Sequence, residues 1–513
     1  MSYDSIKILL SYIAKSNHDF IYCVNKHFRA YKLSTYYYKL NQAKSLDFYF
    51  NSSGFRDNLL KAVANPSQQI SLQFFTNTHV NDTTNLGNVH SLVLYACSRV
   101  RNLSPLRNIH HLNLTGTKNF TDVSPLVNVH TLILDDCSAK LNILGNLSSV
   151  RVFKLTKNKL ISDLSTLVNC QQLYLSKCTN IKDVSMLSNL EYVKLDSTNW
   201  IDFNCSNNTK MSRYEMVNCP FNPEKDLEKK TFKNFTNMAL LSIEGCNSII
   251  KIKNLTKIYK IIVKKCSALR KIDMITGGNW NEIEIEGCSS LSAITNISNV
   301  FSLSIGNLNI MQAIDRINEV YRLSLLNLPI LTNVENVTYV KHVSITSARL
   351  LSNFRFLIGN PLTNLELKDC SSLIDISYLG FCPVVTLDTC PGIADISSLV
   401  NCRRVVIKNC MGVTDVSSLG NVHDLYISYD NTQQQYHLNG VSSLGNVHTL
   451  ALNFLDITDT DIATLGTVKN LTMFGCYNIV DVSPLVTVEK LRLGAMRNAK
   501  LSILSSMKDF IYL

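Results

Sequence analysis

Apolar and polar residues alternate in the same order along most of the chain, at intervals of about 20 residues. The segment from Asp395 to Asp415 reads DISSLVNCRRVVIKNCMGVTD, and the next unit starts again as DVSSLGNVHDLYIS. Each unit has an acid, small or branched residues and a Leu, and then two apolar residues six and eight positions after that Leu, as Leu132 and Leu134 follow Leu126. Alternation with a period of two predicts a short β-strand with one buried face in every unit.

A period of about 20–29 residues built on Leu and a short strand is typical of a leucine-rich repeat solenoid. The sequence therefore predicts an α/β solenoid over residues 40–513, with one parallel strand per turn of about 20 residues and about 23 turns. Such a chain adds turns rather than separate cores, so its length does not imply several domains. The clearest anchor residues are Leu86, Leu106, Leu126, Leu147, Leu167, Leu187, Leu379, Leu399, Leu419, Leu444, Leu465 and Leu485.

Residues 1–39 follow a different pattern. Apolar residues recur there at helical spacing in two groups, first Ile6, Leu9, Leu10 and Ile13, and then Phe20, Cys23, Val24 and Phe28. This spacing predicts two or three short helices ahead of the solenoid. One role for them is an N-terminal cap that shields the first repeat, which solenoids need.

The same segment resembles an F-box, in which an Ile-Leu-x-Tyr-Ile/Leu helix precedes an Asp and a Val-x-Lys-x-Phe/Trp-Arg segment. The matching positions are Ile8, Leu9, Tyr12, Ile13, Asp19, Val24, Lys26, Phe28 and Arg29. The usual Leu-Pro opening is missing, and Tyr3, Asp4 and Ser5 stand there instead. The resemblance implies that the helices bind the small adaptor of a cullin–RING ubiquitin ligase. The residues that it implies for adaptor binding are Ile8, Leu9, Tyr12, Ile13, Val24 and Phe28.

Two further resemblances concern the repeats. The DVSPL-type turns resemble the internalin class of leucine-rich repeats, but each turn is shorter. The Cys-containing repeats and the helical start are similar to those of F-box proteins. Regular repeats in a chain rich in Asn, Ile and Lys are also similar to proteins of giant viruses and some protists.

The chain has 16 Cys, and most of them follow the repeat. Eleven lie three residues after the last apolar strand residue: Cys97, Cys137, Cys178, Cys219, Cys246, Cys266, Cys288, Cys370, Cys390, Cys410 and Cys476. Three more, Cys170, Cys382 and Cys402, replace the buried Val of the NV pair, and Cys23 and Cys205 stand apart. Cys is a small hydrophobe with a weak S–H donor, which suits a buried ladder of reduced thiols. A zinc site is not expected, because no CxxC pair occurs.

Charge and targeting signals limit the classes of partner and the cell compartment that we expect. The formal net charge of +11 is spread along the chain rather than gathered in a basic patch, so a nucleic-acid partner is not expected. The N-terminus lacks the basic and apolar regions of a signal peptide, and no stretch reaches the roughly 18 apolar residues of a membrane span. The sequence predicts a cytoplasmic protein, in the host cytoplasm if the chain is viral, with no membrane role.

Motifs for catalysis are not found. There is no phosphate-binding Gly-rich loop, HExxH or GxSxG, so the sequence predicts no enzyme, no cofactor and no metal centre. The recurring acids, which include Asp122, Asp395 and Asp415, are predicted to cap turns. His90, His110, His130, His423 and His448 share one position before the strand. They are predicted to be exposed polar residues copied with the repeat; a metal or pH-sensing role is the alternative.

The exposed, concave face of the strand layer is predicted to bind a protein ligand, since solenoids usually bind partners there. The partner-binding residues proposed from their repeat position are Lys154, Tyr174, Tyr192, Lys194, Glu244, Lys264, Glu284, Glu286 and Tyr426. Mixed charges with interspersed aromatic residues suit a protein surface. Two insertions, at 219–231 and 429–437, are either recognition loops or neutral additions.

These observations favour a non-enzymatic recognition protein. The F-box resemblance implies a substrate-receptor subunit of a cullin–RING ubiquitin ligase, in which the solenoid holds the target. The alternatives are a generic intracellular interaction scaffold with a helical cap and a surface adhesin of internalin type. The adhesin requires export, and the missing signal peptide and the reduced Cys pattern count against it.

Overall fold

The computed structural model describes residues 38–40, 49, 51–54, 56–57, 70–75, 80, 82–137, 140–198, 210–220, 238–253, 258–273, 280–430 and 436–512. The predicted helical segment lies outside these residues, except for its last two positions, and so do all six adaptor-binding candidates. The chain divides into two compact units, Met1–Cys246 and Asn247–Leu513, and each unit contains a ladder of parallel strands.

In the first unit every described strand pairs in parallel with the next one along the chain. The strands are β1 (Tyr38–Leu40), β2 (Ile70–Phe75), β3 (Ser91–Tyr95), β4 (His111–Asn113), β5 (Thr131–Leu134), β6 (Val152–Thr156), β7 (Gln172–Ser176), β8 (Tyr192–Asp196), β9 (Arg213–Val217) and β10 (Met238–Glu244). The short strands and the constant register follow from the alternation of the sequence.

In the second unit the main ladder is formed by β12 (Ile258–Lys264), β14 (Trp280–Glu286), β16 (Ile297–Gly306), β17 (Ala313–Leu326), β19 (His342–Thr346), β20 (Asn364–Lys368), β21 (Val384–Asp388), β22 (Arg404–Lys408), β23 (Asp424–Ser428), β25 (Thr449–Asn453), β27 (Asn470–Phe474), β28 (Lys490–Gly494) and β29 (Phe510–Tyr512). The return side adds short parallel strands: β11 (Lys251–Lys253), β13 (Lys271–Asp273), β15 (Ala293–Thr295), β18 (Asn333–Thr338), β24 (Tyr436–His437) and β26 (Leu455–Asp456).

The predicted leucine-rich repeat solenoid is confirmed, but the described residues contain little helix. They include one short α-helix, α1 (Asp459–Ile462), helical residues between 49 and 57, and 3₁₀ helices of three to six residues. The 3₁₀ helices are Thr84–Leu86, Ser104–Leu106, Arg355–Leu357, Ser397–Asn401, Ser417–Asn421, Val441–Asn446, Leu465–Thr467, Ser483–Thr487 and Leu501–Ser506. A turn of about 20 residues leaves too little chain for a longer helix after the strand and its two corners.

Strands β3 to β28 make about 19 turns, and the described ladder continues at its ends with β1, β2 and β29. The count differs slightly from the predicted 23 turns over residues 40–513, and two of the predicted anchors, Pro66 and Leu513, lie outside the described residues.

The core of each turn is made by the inward strand residues and the anchor Leu. In the first unit Leu132 lies opposite Phe153, and Phe153 lies opposite Leu173, along one row of the ladder. All three side chains are fully buried. Because each buried row is completed by the turns on either side, the stability of a turn depends on its immediate neighbours.

The predicted Cys ladder is confirmed. All 14 Cys assigned to the repeat are buried and form no disulfide, whereas Cys23 and Cys205 lie outside the described residues. The thiols donate weak hydrogen bonds to buried backbone oxygens, as Cys178 does to the carbonyl of Leu155 at 3.4 Å. Thr117 takes the same place in its turn and donates to the carbonyl of Leu94 at 2.7 Å. This repeat position therefore favours a small side chain that donates a hydrogen bond to a buried carbonyl, and Cys is one of the residue types that can do so.

The recurring acids cap turns, as predicted. The Asp415 carboxylate accepts the backbone N–H of Ser417 at 2.8 Å, and Asp122 accepts that of Ser124 at 2.6 Å. The hydrogen bond from the Ser397 backbone lowers the pKa of Asp395 in the equivalent turn. These carboxylates therefore stabilise the local backbone conformation of the turns.

Candidate functional site

A cavity of about 480 Å³ lies over the outward side of β6, β7 and β8 in the first unit. Its walls include four of the predicted partner-binding residues, Lys154, Tyr174, Tyr192 and Lys194. Lys154, Tyr174 and Lys194 are the third residues of their strands and point outward between two buried neighbours, and Tyr192 is the outward-facing first residue of β8. Parallel pairing places Lys154 opposite Tyr174 and Tyr174 opposite Lys194, so residues about 20 positions apart become adjacent. We refer to this feature as the Tyr174–Tyr192 cavity.

Aromatic rings form one wall of the cavity. The Tyr174 and Tyr192 rings meet edge to face, with centroids 5.1 Å apart and an interplanar angle of 89°. The Arg213 guanidinium lies 5.0 Å from the centroid of the Tyr192 ring on the other side. The Tyr174 hydroxyl donates to the side-chain oxygen of Gln172 at 3.2 Å. Edge-to-face packing and the cation–π contact hold both rings in a defined orientation.

Ion pairs also surround the cavity. The Lys154 ammonium lies 2.5 Å from Asp135, and the Thr156 hydroxyl donates to the same carboxylate at 2.6 Å. Lys157 lies 3.2 Å from Asp136. These pairs are partly exposed, so their main effect is to position the ammonium groups rather than to stabilise the fold.

Glu215 is the most buried charged group beside the cavity, with 8% of its surface exposed. It lies 3.3 Å from the Lys194 ammonium and 2.6 Å from the guanidinium of Arg213. The sequence prediction omitted Glu215, Arg213 and Asp135. The missing signal was pairing between turns: Glu215 stands opposite Lys194 in the register of β8 and β9, which a single repeat does not show.

The protonation of the cavity follows from its burial. Burial, and then the charge of Glu215 and a hydrogen bond to it, raise the pKa of Tyr192 to about 12. Burial also raises the pKa of Tyr174. For Asp135, burial alone would raise the pKa, but the hydrogen bonds from Lys154 and Thr156 and the Lys154 charge lower it. At neutral pH the cavity therefore offers phenol donors, ammonium groups and a carboxylate.

The other predicted residues do not join this cavity. In the second unit Lys264 lies 2.6 Å from Glu284 and 3.3 Å from Glu286, so these three candidates form an ion-pair cluster of their own. Tyr426 accepts a hydrogen bond from Asn453 at 3.0 Å and lies 5.6 Å from the Lys408 ammonium. Glu244 ends β10 in the first unit, and it does not line the cavity.

The two insertions are only partly described. Of residues 219–231 the structure describes Cys219 and Pro220. The 429–437 insertion begins with Tyr429, which is buried and donates to the carbonyl of Cys410 at 3.1 Å. Its ring stacks on that of Tyr436 at 4.3 Å, while residues 431–435 are outside the described part. The hydrogen bond and the ring stacking of Tyr429 therefore hold the described ends of this insertion against the preceding turn.

Two groups of side chains have the donor types of a metal site. His90, His110 and His111 in the first unit have ligand atoms within 4.8 Å of one another, and so have His423, Asp424 and His448 in the second. The sequence predicted exposed His residues, but His90, His110, His130 and His448 are half-buried. Burial, followed by the charges of neighbouring His residues and Arg151, lowers the pKa of His110 to about 4. Its imidazole is neutral at physiological pH.

Among the described residues, no helix is long and apolar enough to cross a membrane.

No protein-family model matches the chain, and no curated protein sequence matches it. Among solved structures, the similar ones are leucine-rich repeat proteins. The functional domain of InlJ from Listeria monocytogenes, which includes a cysteine ladder, is 13% identical at a TM-score of 0.28, over 68% of this chain and 74% of that one.

Two further structures have similar identities and TM-scores. The LRR ectodomain of the plant membrane receptor kinase GASSHO1/SCHENGEN3 from Arabidopsis thaliana, in complex with CASPARIAN STRIP INTEGRITY FACTOR 2, is 12% identical at a TM-score of 0.27, over 89% of this chain and 85% of that one. TLR13 in its complex with ssRNA13 is 12% identical at a TM-score of 0.29, over 86% and 90%. At these values the likeness concerns the fold alone.

Proposed function

We propose that this chain is a non-enzymatic recognition scaffold that binds a protein ligand on the outward strand face, centred on the Tyr174–Tyr192 cavity. The observation that carries the proposal is the cavity itself, where two oriented Tyr rings are flanked by Lys154 and Lys194. Tyr and Arg are the residue types that contribute most to protein interfaces, especially in partly enclosed pockets. A volume of about 480 Å³ also falls within the range of ligand pockets.

The charges of the cavity favour an acidic segment of the partner. Its lining contains four Lys, at 154, 157, 177 and 194, and two Asp, at 135 and 196. Lys154 and Lys157 already have carboxylate neighbours, but Lys177 has no ion pair among the described residues. A partner carboxylate can therefore bind Lys177 without displacing an internal pair. An aromatic or aliphatic side chain beside that carboxylate would pack on the two Tyr rings.

A binding role is also consistent with the chemistry that the lining offers. None of its described residues is a His or a Cys, and its carboxylates are hydrogen-bonded or paired, as Asp196 is with the Ser176 hydroxyl at 3.0 Å. The cavity groups are instead arranged as donors and rings suited to holding a ligand.

We expect Tyr192→Ala and Lys194→Ala each to weaken peptide binding by about tenfold or more, which is the effect of losing a central interface side chain. The probe is a peptide selected from a displayed random library against the full-length protein, with affinity measured by calorimetry. The selected peptides should contain Asp or Glu beside an apolar residue, and their affinity should fall as salt increases.

The matched control is Tyr259→Ala, which removes a 56% exposed Tyr from β12 in the second unit. It should leave the affinity unchanged, and circular dichroism should show that every variant retains the fold. Selected peptides that bind the Tyr192 and Lys194 variants as tightly as the unsubstituted protein would contradict the proposed centre of recognition.

A finer version of this function is a cytoplasmic substrate receptor of a cullin–RING ubiquitin ligase. Its support is the F-box resemblance of the N-terminal segment, with Leu9 and Phe28 among the matching positions. The full-length protein should then bind the ligase adaptor in a pull-down, whereas a chain that starts at residue 40 should not. A Leu9→Asp/Phe28→Asp variant of the full chain should also lose the adaptor while retaining the selected peptide. Equal or absent adaptor binding in all three proteins would favour a generic interaction scaffold with a helical cap.

A further inference from the structure

Three imidazoles meet at the start of strand β4 in the first unit. The ring centroids of His90 and His110 are 4.8 Å apart, those of His90 and His111 4.9 Å, and those of His110 and His111 4.4 Å. His90 and His110 are stacked, and the His111 ring stands edge-on to both. The three rings therefore form a nearly equilateral triangle that contains one residue from one turn and two from the next.

The backbone fixes this triangle. The carbonyl of His90 accepts the backbone N–H groups of both His110, at 3.1 Å, and His111, at 3.0 Å. The repeat places a His before each strand, which by itself yields a row of stacked rings. His111 occupies a different repeat position, the first residue of the strand. Its ring therefore approaches the same point from outside the row of stacked rings. A second observation is that the Nδ1 atom of His110 is buried and has no hydrogen-bond partner among the described residues.

We propose that His90, His110 and His111 bind a divalent transition-metal ion of the zinc class, each through one ring nitrogen. Imidazole nitrogens are preferred ligands for Zn²⁺, Co²⁺, Ni²⁺ and Cu²⁺. Three protein ligands leave a fourth position for water or for a group of another molecule. The site is separate from the Tyr174–Tyr192 cavity and does not depend on the proposed recognition of a protein ligand.

The spacing of the rings fits such an ion. Metal–nitrogen distances of about 2.0–2.1 Å and tetrahedral angles require ring centroids about 5 Å apart. The observed separations of 4.4–4.9 Å are close to this value. Rotation of the stacked rings about their side-chain bonds is needed to aim the nitrogens at one point. His110 can rotate without losing a hydrogen bond at Nδ1, since that atom has no partner in the described part of the chain.

The charge and the chemical type of the ligands affect which metal ion binds. Imidazole binds a metal ion in its neutral form. No carboxylate belongs to the triad, and the charge of Arg151 acts on His110. The set of three neutral ligands therefore favours a metal that binds imidazole strongly over Mg²⁺ or Ca²⁺, which prefer oxygen.

A related arrangement occurs in the second unit and provides an internal comparison. His423 and His448 stack at 4.4 Å, and Asp424, the first residue of β23, occupies the position that His111 has in β4. There, however, the His423 Nδ1 is already paired with the Asp424 carboxylate at 2.9 Å. Coordination through this Nδ1 would break the pair, so the first unit contains the better site.

The test is a titration of the full-length, phosphine-reduced protein with CoCl₂, followed by visible absorption. We expect saturable binding with the bands of nitrogen and oxygen ligands and without a thiolate charge-transfer band. His111→Gln should weaken binding by at least about tenfold, since even the loss of an indirect ligand contact has an effect of this size. The matched control is His342→Gln, because His342 is likewise the first residue of its strand, β19, and does not belong to either metal-ligand group.

His448→Gln tests the second unit. It should leave the affinity for cobalt unchanged, in contrast to His111→Gln. The unfolding midpoint of metal-free His111→Gln should match that of the unsubstituted protein, and His90→Gln replaces it if it does not. The proposal is overturned if cobalt does not bind saturably, if a thiolate band accompanies binding, or if His448→Gln alone abolishes it.

Discussion

Replacing Leu132 by Ala is expected to lower the free energy of unfolding of the first unit by about 2–5 kcal/mol. Leu132 lies in β5, is fully buried, and packs in the inward row opposite Phe153. The substitution removes apolar surface from the core and leaves a cavity that neighbouring turns can fill only in part. In a solenoid this loss weakens the interfaces on both sides of the turn.

The neighbouring residue provides the control for Leu132. Ile133 is of similar size and belongs to the same strand, but it points outward and is half-buried. Ile133→Ala should lower the free energy of unfolding by about 1 kcal/mol or less. Urea denaturation followed by circular dichroism measures both variants. Equal losses at the two positions would show that the assignment of inward and outward faces in β5 is wrong.

Replacing Asn158 by Ala is expected to lower the free energy of unfolding by about 3 kcal/mol. Asn158 is 1% exposed and takes a place in the Cys ladder, between Cys137 and Cys178. Its side-chain NH₂ donates to the carbonyl of Leu141 at 2.9 Å, and its side-chain oxygen accepts the N–H groups of Leu160 at 3.0 Å and Ile161 at 2.9 Å. Ala leaves these backbone groups without their partner, two of them in buried surroundings.

Asn180 is the matched control for Asn158. It is an exposed Asn in the next turn whose side chain also donates to a backbone carbonyl, that of Lys159. Asn180→Ala should change the free energy of unfolding by less than about 0.5 kcal/mol, because water replaces the lost contact. The same urea titration applies, and similar values for the two Asn→Ala variants would contradict a structural role for the buried amide.

The two stability predictions differ in how much of their basis a single repeat reveals. The inward position of Leu132 and the ladder position shared by Cys137 and Cys178 could be predicted, because alternation along a strand assigns each side chain to a face. The role of Asn158 could not, since the sequence does not show that its amide binds three backbone groups at once. The capping role of Asp415 was predicted correctly, because it depends on residues two positions apart.

The candidate site was predicted only in part, because repeat position does not reveal the register between neighbouring strands. Lys154, Tyr174, Tyr192 and Lys194 share repeat positions, and the structure brings them into one cavity. The same reasoning selected Lys264, Glu284 and Glu286, which instead pair with one another. Repeat position predicts that a residue faces outward, but it does not reveal which charge stands opposite.

By itself, the sequence determined the period of the solenoid, the two faces of each strand and the buried thiols. These properties depend on alternation within a turn and on hydrophobic burial, and both are local in the chain. Only the tertiary structure decided which outward side chains meet. Partners such as Lys194 and Glu215, or His90 and His111, are about 20 residues apart, and parallel pairing of adjacent turns makes them neighbours. Small differences in turn length and side-chain orientation then determine whether such neighbours form an ion pair, a ring contact or a set of convergent ligands.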